Sequence, residues 1–321
     1  MVTKNAAHNQ PTTNGEDGTT KPARMSLTAL IRGRQERPLR ALFYGVEGVG
    51  KSTLGADAPG AIFLGAEDGT AHLDVTRFPA PASWADMLEA IRVLGTEDHE
   101  FKTLVIDTLD WAEPMLWKHI CDRDGKKDIE DYGYGKGYAA ALDQWRVFLA
   151  YLERLRDKKQ MHVILLAHSW IKPFKNPEGD DFDRYELKIN NKAGGLIKEW
   201  CDHVLFANYE TFASKDEKTK RIKGVSTGAR LIYTTRTAAY DAKNRADLPE
   251  SLPLDWSEFY AAVKAHAPAD PAALKEEIAR KAAELGGDTE KTALQYLTEA
   301  GDDAARLGKL NAWCNGKLAT R

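Results

Sequence analysis

The segment Gly45-Val-Glu-Gly-Val-Gly-Lys51-Ser52 fits the pattern G-x-x-x-x-G-K-[ST] at every position, and the apolar run Leu39-Arg-Ala-Leu-Phe-Tyr44 leads into it. These residue types serve one chemistry. Glycines let successive backbone N–H groups turn toward a phosphate with no Cβ in the way, and the helix that follows adds its positive N-terminal end. Lys51 has the reach for β- and γ-phosphates, and the Ser52 hydroxyl can hold Mg²⁺. The residues Gly45, Val46, Glu47, Gly48, Val49, Gly50, Lys51, Ser52 and Thr53 are therefore expected to bind a nucleoside triphosphate, ATP with Mg²⁺.

A second acid belongs with such a loop. Leu104-Val-Ile-Asp107 is an apolar run ending in a carboxylate, the Walker B pattern, and Asp107 is expected beside the loop as the Mg²⁺ acid. Hydrolysis also needs a group that orients or activates water. Glu67, in Phe63-Leu-Gly-Ala-Glu67-Asp68-Gly69, is the first choice, with Asp68 its neighbour and Glu113 a weaker option. His168 ends another apolar run, with Ser169 after it; it would face the γ-phosphate region and report nucleotide state to the next loop.

The elements that must position these groups alternate as strand and helix. Strands are expected at 39–44, 61–64, 103–107, 162–168 and 203–209, with a late hairpin of strands 220–226 and 229–235 turned at Thr227-Gly228. Trp84, Met87, Leu88, Ile91 and Leu94 give a helical stripe, and Tyr138, Leu142, Trp145, Leu149 and Leu152 give another on a long amphipathic helix. Residues 122–137 are polar and glycine-studded, 172–192 form a polar loop, and 193–200 form a helix. This is an α/β pattern: a mostly parallel sheet with helices on both faces. Residues 1–25 lack large apolar groups and are expected to be a disordered tail; 26–266 make the nucleotide-binding domain, and 267–321 a small module of three helices.

With 43% hydrophobic and 29% charged residues the composition is that of a soluble globular chain. No apolar stretch approaches the ~18 residues of a membrane span, and the polar N-terminus does not read as a signal peptide. Cytoplasmic localisation is expected, with no membrane partner. The three cysteines, Cys121, Cys201 and Cys314, lack metal-ligand spacing and fit reduced thiols. The net charge of −3 hides an uneven distribution: nine Lys and Arg face three Asp and Glu over residues 214–245. Such a run suits a solvated hairpin or a phosphate-rich partner, and the sign asymmetry suits head-to-tail self-association.

The loop-to-helix unit, Glu67, the Leu104–Asp107 strand and the strand ending in Ala167-His168-Ser169 together resemble the RecA/RadA-like recombinase core. Asp131-Tyr-Gly-Tyr-Gly-Lys-Gly-Tyr138, Asp180-Asp-Phe-Asp-Arg-Tyr-Glu-Leu-Lys188, Trp200-Cys-Asp-His-Val-Leu-Phe-Ala207 and Ala239-Tyr-Asp-Ala-Lys-Asn-Arg-Ala-Asp-Leu-Pro249 look closer to phage-encoded single-strand annealing ATPases of the Sak-four type. The resemblance covers about residues 38–265. It implies a RecA-like ATPase that assembles as a homo-oligomer, ring or filament, on single-stranded DNA in the host cytoplasm. Tyr134 and Lys136 in the first loop and Lys172, Lys175, Arg184, Lys188 and Lys192 in the second would touch DNA. Lys243 and Arg245 would reach a neighbour's ATP in trans, since nothing within one chain obviously needs two cations there. A single-strand binding protein would be the partner of the C-terminal module.

Three other functions stay open on the residues. A helicase-loading or motor subunit shares the core, although no N-terminal partner domain is evident. A P-loop small-molecule kinase would want an arginine-rich lid that the sequence lacks. A nucleotide-dependent clamp would bind ATP with negligible turnover.

Overall fold

The computed structural model describes residues 27, 30, 35–66, 69–215, 222–265 and 271–319. The expected tail at 1–25, Glu67 and Asp68 lie outside the described residues. Two compact units emerge, Glu36–Pro268 and one containing Ala269–Arg321.

The larger unit is built around one sheet. Its strands are β1 (Arg40–Gly45), β2 (Ala61–Gly65), β3 (Thr76–Arg77), β4 (Thr103–Asp107), β5 (His162–Phe174), β6 (Phe182–Leu187), β7 (His203–Lys215), β8 (Ile222–Tyr233) and β9 (Ser251–Pro253). The order across the sheet is β3-β2-β4-β5-β1-β7-β8-β9, with β6 paired to β5. Neighbours from β3 through to β7 run parallel; β8, β9 and β6 pair antiparallel. The fold is thus a mixed α/β P-loop core with a mostly parallel sheet, as the strand–helix alternation predicts, and its antiparallel part is formed by β6, β8 and β9.

Alternation along the strands explains the layers. Leu42 and Tyr44 of β1, Leu64 of β2 and Ile106 of β4 enter one core with α2 (Trp84–Thr96), α3 (Leu109–Asp124), α4 (Lys136–Arg154) and α5 (Asn191–Trp200). Ala41, Phe43, Phe63 and Val105 point the other way, onto α1 (Lys51–Ala56) and α6 (Trp256–Ala265). A strand covered on both faces must be apolar throughout, which is why β4 and the first half of β5 read as unbroken hydrophobic runs. The stripes expected on α2 and α4 meet in this core, where Trp84 stacks edge-on against Trp145 at 5.4 Å.

Two expectations need correction. The segment 172–192 is no loop: β5 continues to Phe174 and folds back as β6, and α5 begins at Asn191. Polar residues alternate there because a two-stranded ribbon has a solvated face. Nor is the late hairpin turned at Thr227-Gly228. Residues Ile222–Tyr233 are one strand paired along β7, and Gly228 sits in it with φ +79°, a bulge where the register shifts opposite Tyr209 and Thr211. A glycine with positive φ marks a bulge as readily as a turn.

The smaller unit has α7 (Pro271–Leu285), α8 (Gly287–Ala300) and α9 (Ala304–Ala319). Leu274, Ile278, Leu285, Leu307 and Cys314 form its own core.

Candidate nucleotide site and adjoining cleft

The loop between β1 and α1 has the shape its residues predict. Gly50 has φ +107°, a left-handed conformation that turns the chain into α1 and that a side chain would resist. Lys51 is buried, its ammonium donating to the carbonyls of Gly45 at 3.2 Å and Val46 at 2.9 Å. Ser52, in the first turn of α1, donates its hydroxyl to Asp107 Oδ2 at 2.7 Å. Although β5 separates β1 from β4, α1 packs across Phe63 and Val105, and this carries Ser52 to the end of β4.

These residues fit Mg²⁺. Burial raises the Asp107 carboxyl above its ordinary range, and the Ser52 hydroxyl and Lys51 offset this only in part. A buried carboxylate whose charge its neighbours do not fully offset gains from a cation. Among the described residues no three His, Cys, Asp or Glu side chains form a metal cage. Mg²⁺ needs none, since it binds through one or two oxygens and completes its shell with phosphates and water. Bound there, Mg²⁺ would neutralise phosphate charge between Ser52 and Asp107.

Next to Asp107 lies a pair that sequence reasoning only half found. His168 ends the parallel part of β5, beside Gly45. Its backbone N–H donates to Asp110 Oδ1 and its Nδ1 lies 2.9 Å from Asp110 Oδ2. Burial would raise the Asp110 carboxyl, but these bonds outweigh it and hold the carboxyl below its usual range. Asp110 follows Asp107 by three residues on the first turn of α3. That spacing is plain in the sequence, but acids are common in first turns, so residue type alone does not mark Asp110 as the partner of His168.

A family model described as an AAA domain matches residues 37–246, well over half of the chain. The chain belongs to this AAA domain family. No curated protein matches it. Family and geometry agree on a P-loop ATPase core, and the Ser52–Asp107 hydrogen bond brings together the two residues that would hold Mg²⁺. Among the described residues no helix is long and apolar enough to cross a membrane.

Beside the nucleotide site the AAA domain carries a cleft of about 590 Å³. Asp110, Glu113 and Trp117 of α3 line it, with Gly135 and Tyr138 at the start of α4, Trp170 and Lys172 of β5, and Lys188, Asn190 and Lys192 around the start of α5. The two segments expected to touch DNA thus converge on one feature. His168, Trp170 and Lys172 alternate on one strand face, and Lys172 lies over the Trp170 ring at 3.9 Å. Trp170, which the sequence reading passed over, is half-exposed, and Tyr134 is fully exposed beside Gly135. Lys136 and Lys175 are exposed at the start of α4 and in the β5–β6 turn. Lys188 reaches Glu47 of the phosphate loop at 3.6 Å.

Glu113 forms part of the cleft wall. Both of its oxygens accept the backbone N–H of Asn190, at 3.1 and 2.9 Å. Burial raises its carboxyl to about 7, assisted by Asp110 and opposed by the Asn190 N–H and Lys172. The geometry makes it an anchor for the start of α5.

Three residues leave the positions expected of them. Arg184 does not face a DNA partner: its side chain is buried, paired with Glu186 at 2.9 Å and lying over Phe174 at 4.9 Å. Lys243 and Arg245 do have work within their own chain. Lys243 Nζ donates to the carbonyls of Lys198, Glu199 and Cys201 at the end of α5, at 2.9, 3.2 and 2.6 Å. Arg245 pairs with Asp202 at 3.1 Å. Asp202 also takes Arg40 and Arg156, and Arg40 opens β1, so this cluster lies at the end of the sheet away from the phosphate loop. The Tyr240-to-Arg245 segment starts nearer the phosphate loop, where Tyr240 stacks on Phe206 at 4.7 Å and Tyr44, next to Gly45, bonds both backbone groups of Asp241.

Proposed function

We propose that this AAA-type P-loop protein is a Mg²⁺-dependent ATPase that works on single-stranded DNA, in annealing or strand exchange, as a ring or filament of identical subunits. One observation supports this most. The cleft beside Asp110 gathers Trp117, Tyr138 and Trp170 with Lys172, Lys188 and Lys192. Aromatic faces with interleaved cations are what a sequence-tolerant single-strand site requires. Lys188 also meets Glu47 of the phosphate loop, so a strand in the cleft would lie against the element that holds ATP. The likeness to the Sak-four type and to RecA-like recombinases adds support, and the C-terminal helices would be the contact for a single-strand binding protein. Glu67 remains the residue assigned to water activation.

A second reading, a helicase-loading or motor subunit, would use the same P-loop ATPase core that the AAA match supports. ATP hydrolysis measured with and without single-stranded DNA tests the main reading. Stimulation together with annealing of complementary strands is expected. Stimulation without annealing, but with helicase loading or translocation, would favour the second reading, and turnover indifferent to DNA would overturn both.

A further inference from the structure

Tyr209 and Arg230 belong to no motif, yet both grip the phosphate loop from outside. They stand directly opposite each other in the β7–β8 ladder. Tyr209 donates its hydroxyl to the carbonyl of Gly48 at 3.1 Å, and Arg230 Nη1 donates to the carbonyl of Val49 at 3.4 Å. A cross-strand pair thus holds two consecutive peptide units of the loop.

The strand beyond the pair is shaped for this. Thr211 faces Ser226, so residues 227–229 of β8 stand against Glu210 alone. Thr227 Oγ1 donates to Glu210 Oε2 at 2.7 Å and Ser226 Oγ to the Glu210 carbonyl at 3.1 Å, which pins the bulge. Bulges sharpen local twist and re-aim neighbouring side chains. Gly50 completes the fit, since a Cβ there would lie 2.8 Å from Arg230 Nη1.

In a trans peptide the C=O and N–H point in opposite directions across one plane. Drawing the carbonyls of Gly48 and Val49 toward the hairpin turns the N–H groups of Val49 and Gly50 to the other side. We propose that Tyr209 and Arg230 are positioning residues that hold these two N–H groups toward the phosphates, so that the loop is organised before nucleotide arrives. A donor on each carbonyl also polarises its peptide and strengthens the N–H on the far side, and a permanently charged guanidinium does so most. The proposal rests on the loop being a triphosphate site.

Calorimetric binding of MgATP, MgADP, pyrophosphate and adenosine to the full chain tests it, with thermal unfolding of each free protein alongside. Tyr209→Phe, which deletes one hydroxyl, should weaken the three phosphate ligands about fivefold, the weight of one hydrogen bond. Arg230→Ala should weaken them about tenfold or more, as for a bond to a charged group, and Arg230→Lys should recover part of the loss. KM for ATP should rise more than kcat falls, adenosine should bind as before, and the melting temperatures should hold. Unchanged phosphate affinity in both variants would overturn the proposal. So would an equal loss for adenosine, which would put the pair on the base, or a matching fall in melting temperature, which would make its role structural. A wild-type chain that binds none of the phosphate ligands would remove the triphosphate reading, and the proposal with it.

Discussion

The Asp110 carboxylate holds His168 at two points, the backbone N–H at Oδ1 and the ring Nδ1 at Oδ2, both at 2.9 Å. A carboxylate can only accept, so Nδ1 carries the proton and the ring is oriented by Asp110. Asp110 thereby ties β5 to α3 within three residues of Asp107, and it lines the cleft as well.

Asp110→Asn should break this arrangement while keeping its volume. The amide offers one acceptor oxygen where two bonds are now made, and its NH₂ would face Nδ1–H unless the ring changes tautomer. ATP turnover should fall about tenfold or more, less than the ~10²–10⁴ of a positioned acid or base because Asp110 only orients His168, with ATP affinity close to wild type. Parallel kcat and binding measurements check this; unchanged kcat would show that His168 orientation does not matter to hydrolysis.

Much of this site was legible because its residues are consecutive. The phosphate loop, Ser52 and Asp107 each follow an apolar strand, and strand-then-motif survives any error in element boundaries. The cleft was half legible: its two segments were marked by aromatic and basic residues, but the ribbon of β5 and β6 was read as a loop, so the shared face of His168, Trp170 and Lys172 went unseen. Tyr209 and Arg230 were out of reach. Their meeting depends on cross-strand register, and Gly228 reads as a turn residue until the bulge is seen. The intrachain partners of Lys243 were hidden for a similar reason, being backbone carbonyls at a helix end, which no side-chain pattern marks.

Glu113 should make stability depend on pH in an unusual direction. Its carboxyl is raised to about 7 in the native state, first by burial, against an ordinary unfolded value near 4.3. Below the unfolded value both states hold the proton, and stability is full. As pH rises toward 7 the unfolded chain releases its proton first, so the native state loses ground, on the order of 3 kcal/mol in all. Glu113→Gln keeps an acceptor for the Asn190 N–H and removes the ionisation. Its stability relative to wild type should therefore improve between pH 4 and pH 8 in urea unfolding. A constant difference across that range would mean that Glu113 ionises normally.

The cleft and Arg184 should separate cleanly in DNA binding. Lys172→Ala with Lys192→Ala removes two cations, and the slope of log affinity against log salt should flatten by about 1.4, at roughly 0.7 per phosphate on single strands. Trp170→Ala should weaken binding by about 1–3 kcal/mol if one base stacks on it, with the salt slope unchanged. Arg184→Ala should leave the slope alone and lower stability, because it strips a buried pair from Glu186. Fluorescence anisotropy on an oligothymidine at several salt concentrations reads all three. A slope altered by Arg184→Ala and untouched by the lysine pair would move the strand off the cleft.

Lys243 gives the sharpest contrast between a contact in trans and a contact at home. Its ammonium takes the carbonyls of Lys198 and Glu199 in the last turn of α5 and of Cys201 at its C-cap, groups that a helix end leaves without partners, and a cation there also suits the helix dipole. Removing it strands acceptors in a partly buried position, at about 1–3 kcal/mol for an unsatisfied group. Lys243→Ala should therefore melt earlier, while Arg245→Ala, an exposed arm of the Asp202 cluster, should cost less than 1 kcal/mol. If both cations act only within their own chain, mixing the double variant with Lys51→Ala protein restores no turnover beyond the sum of the two alone. A neighbour's arginine or lysine at the γ-phosphate would show the opposite result, because each variant would then supply the half-site the other lacks, and a transition-state cation is worth about 10³–10⁵ in rate. Hydrolysis in the mixture, followed against total protein concentration, decides between them: recovered turnover that grows with concentration would return Lys243 and Arg245 to the subunit interface.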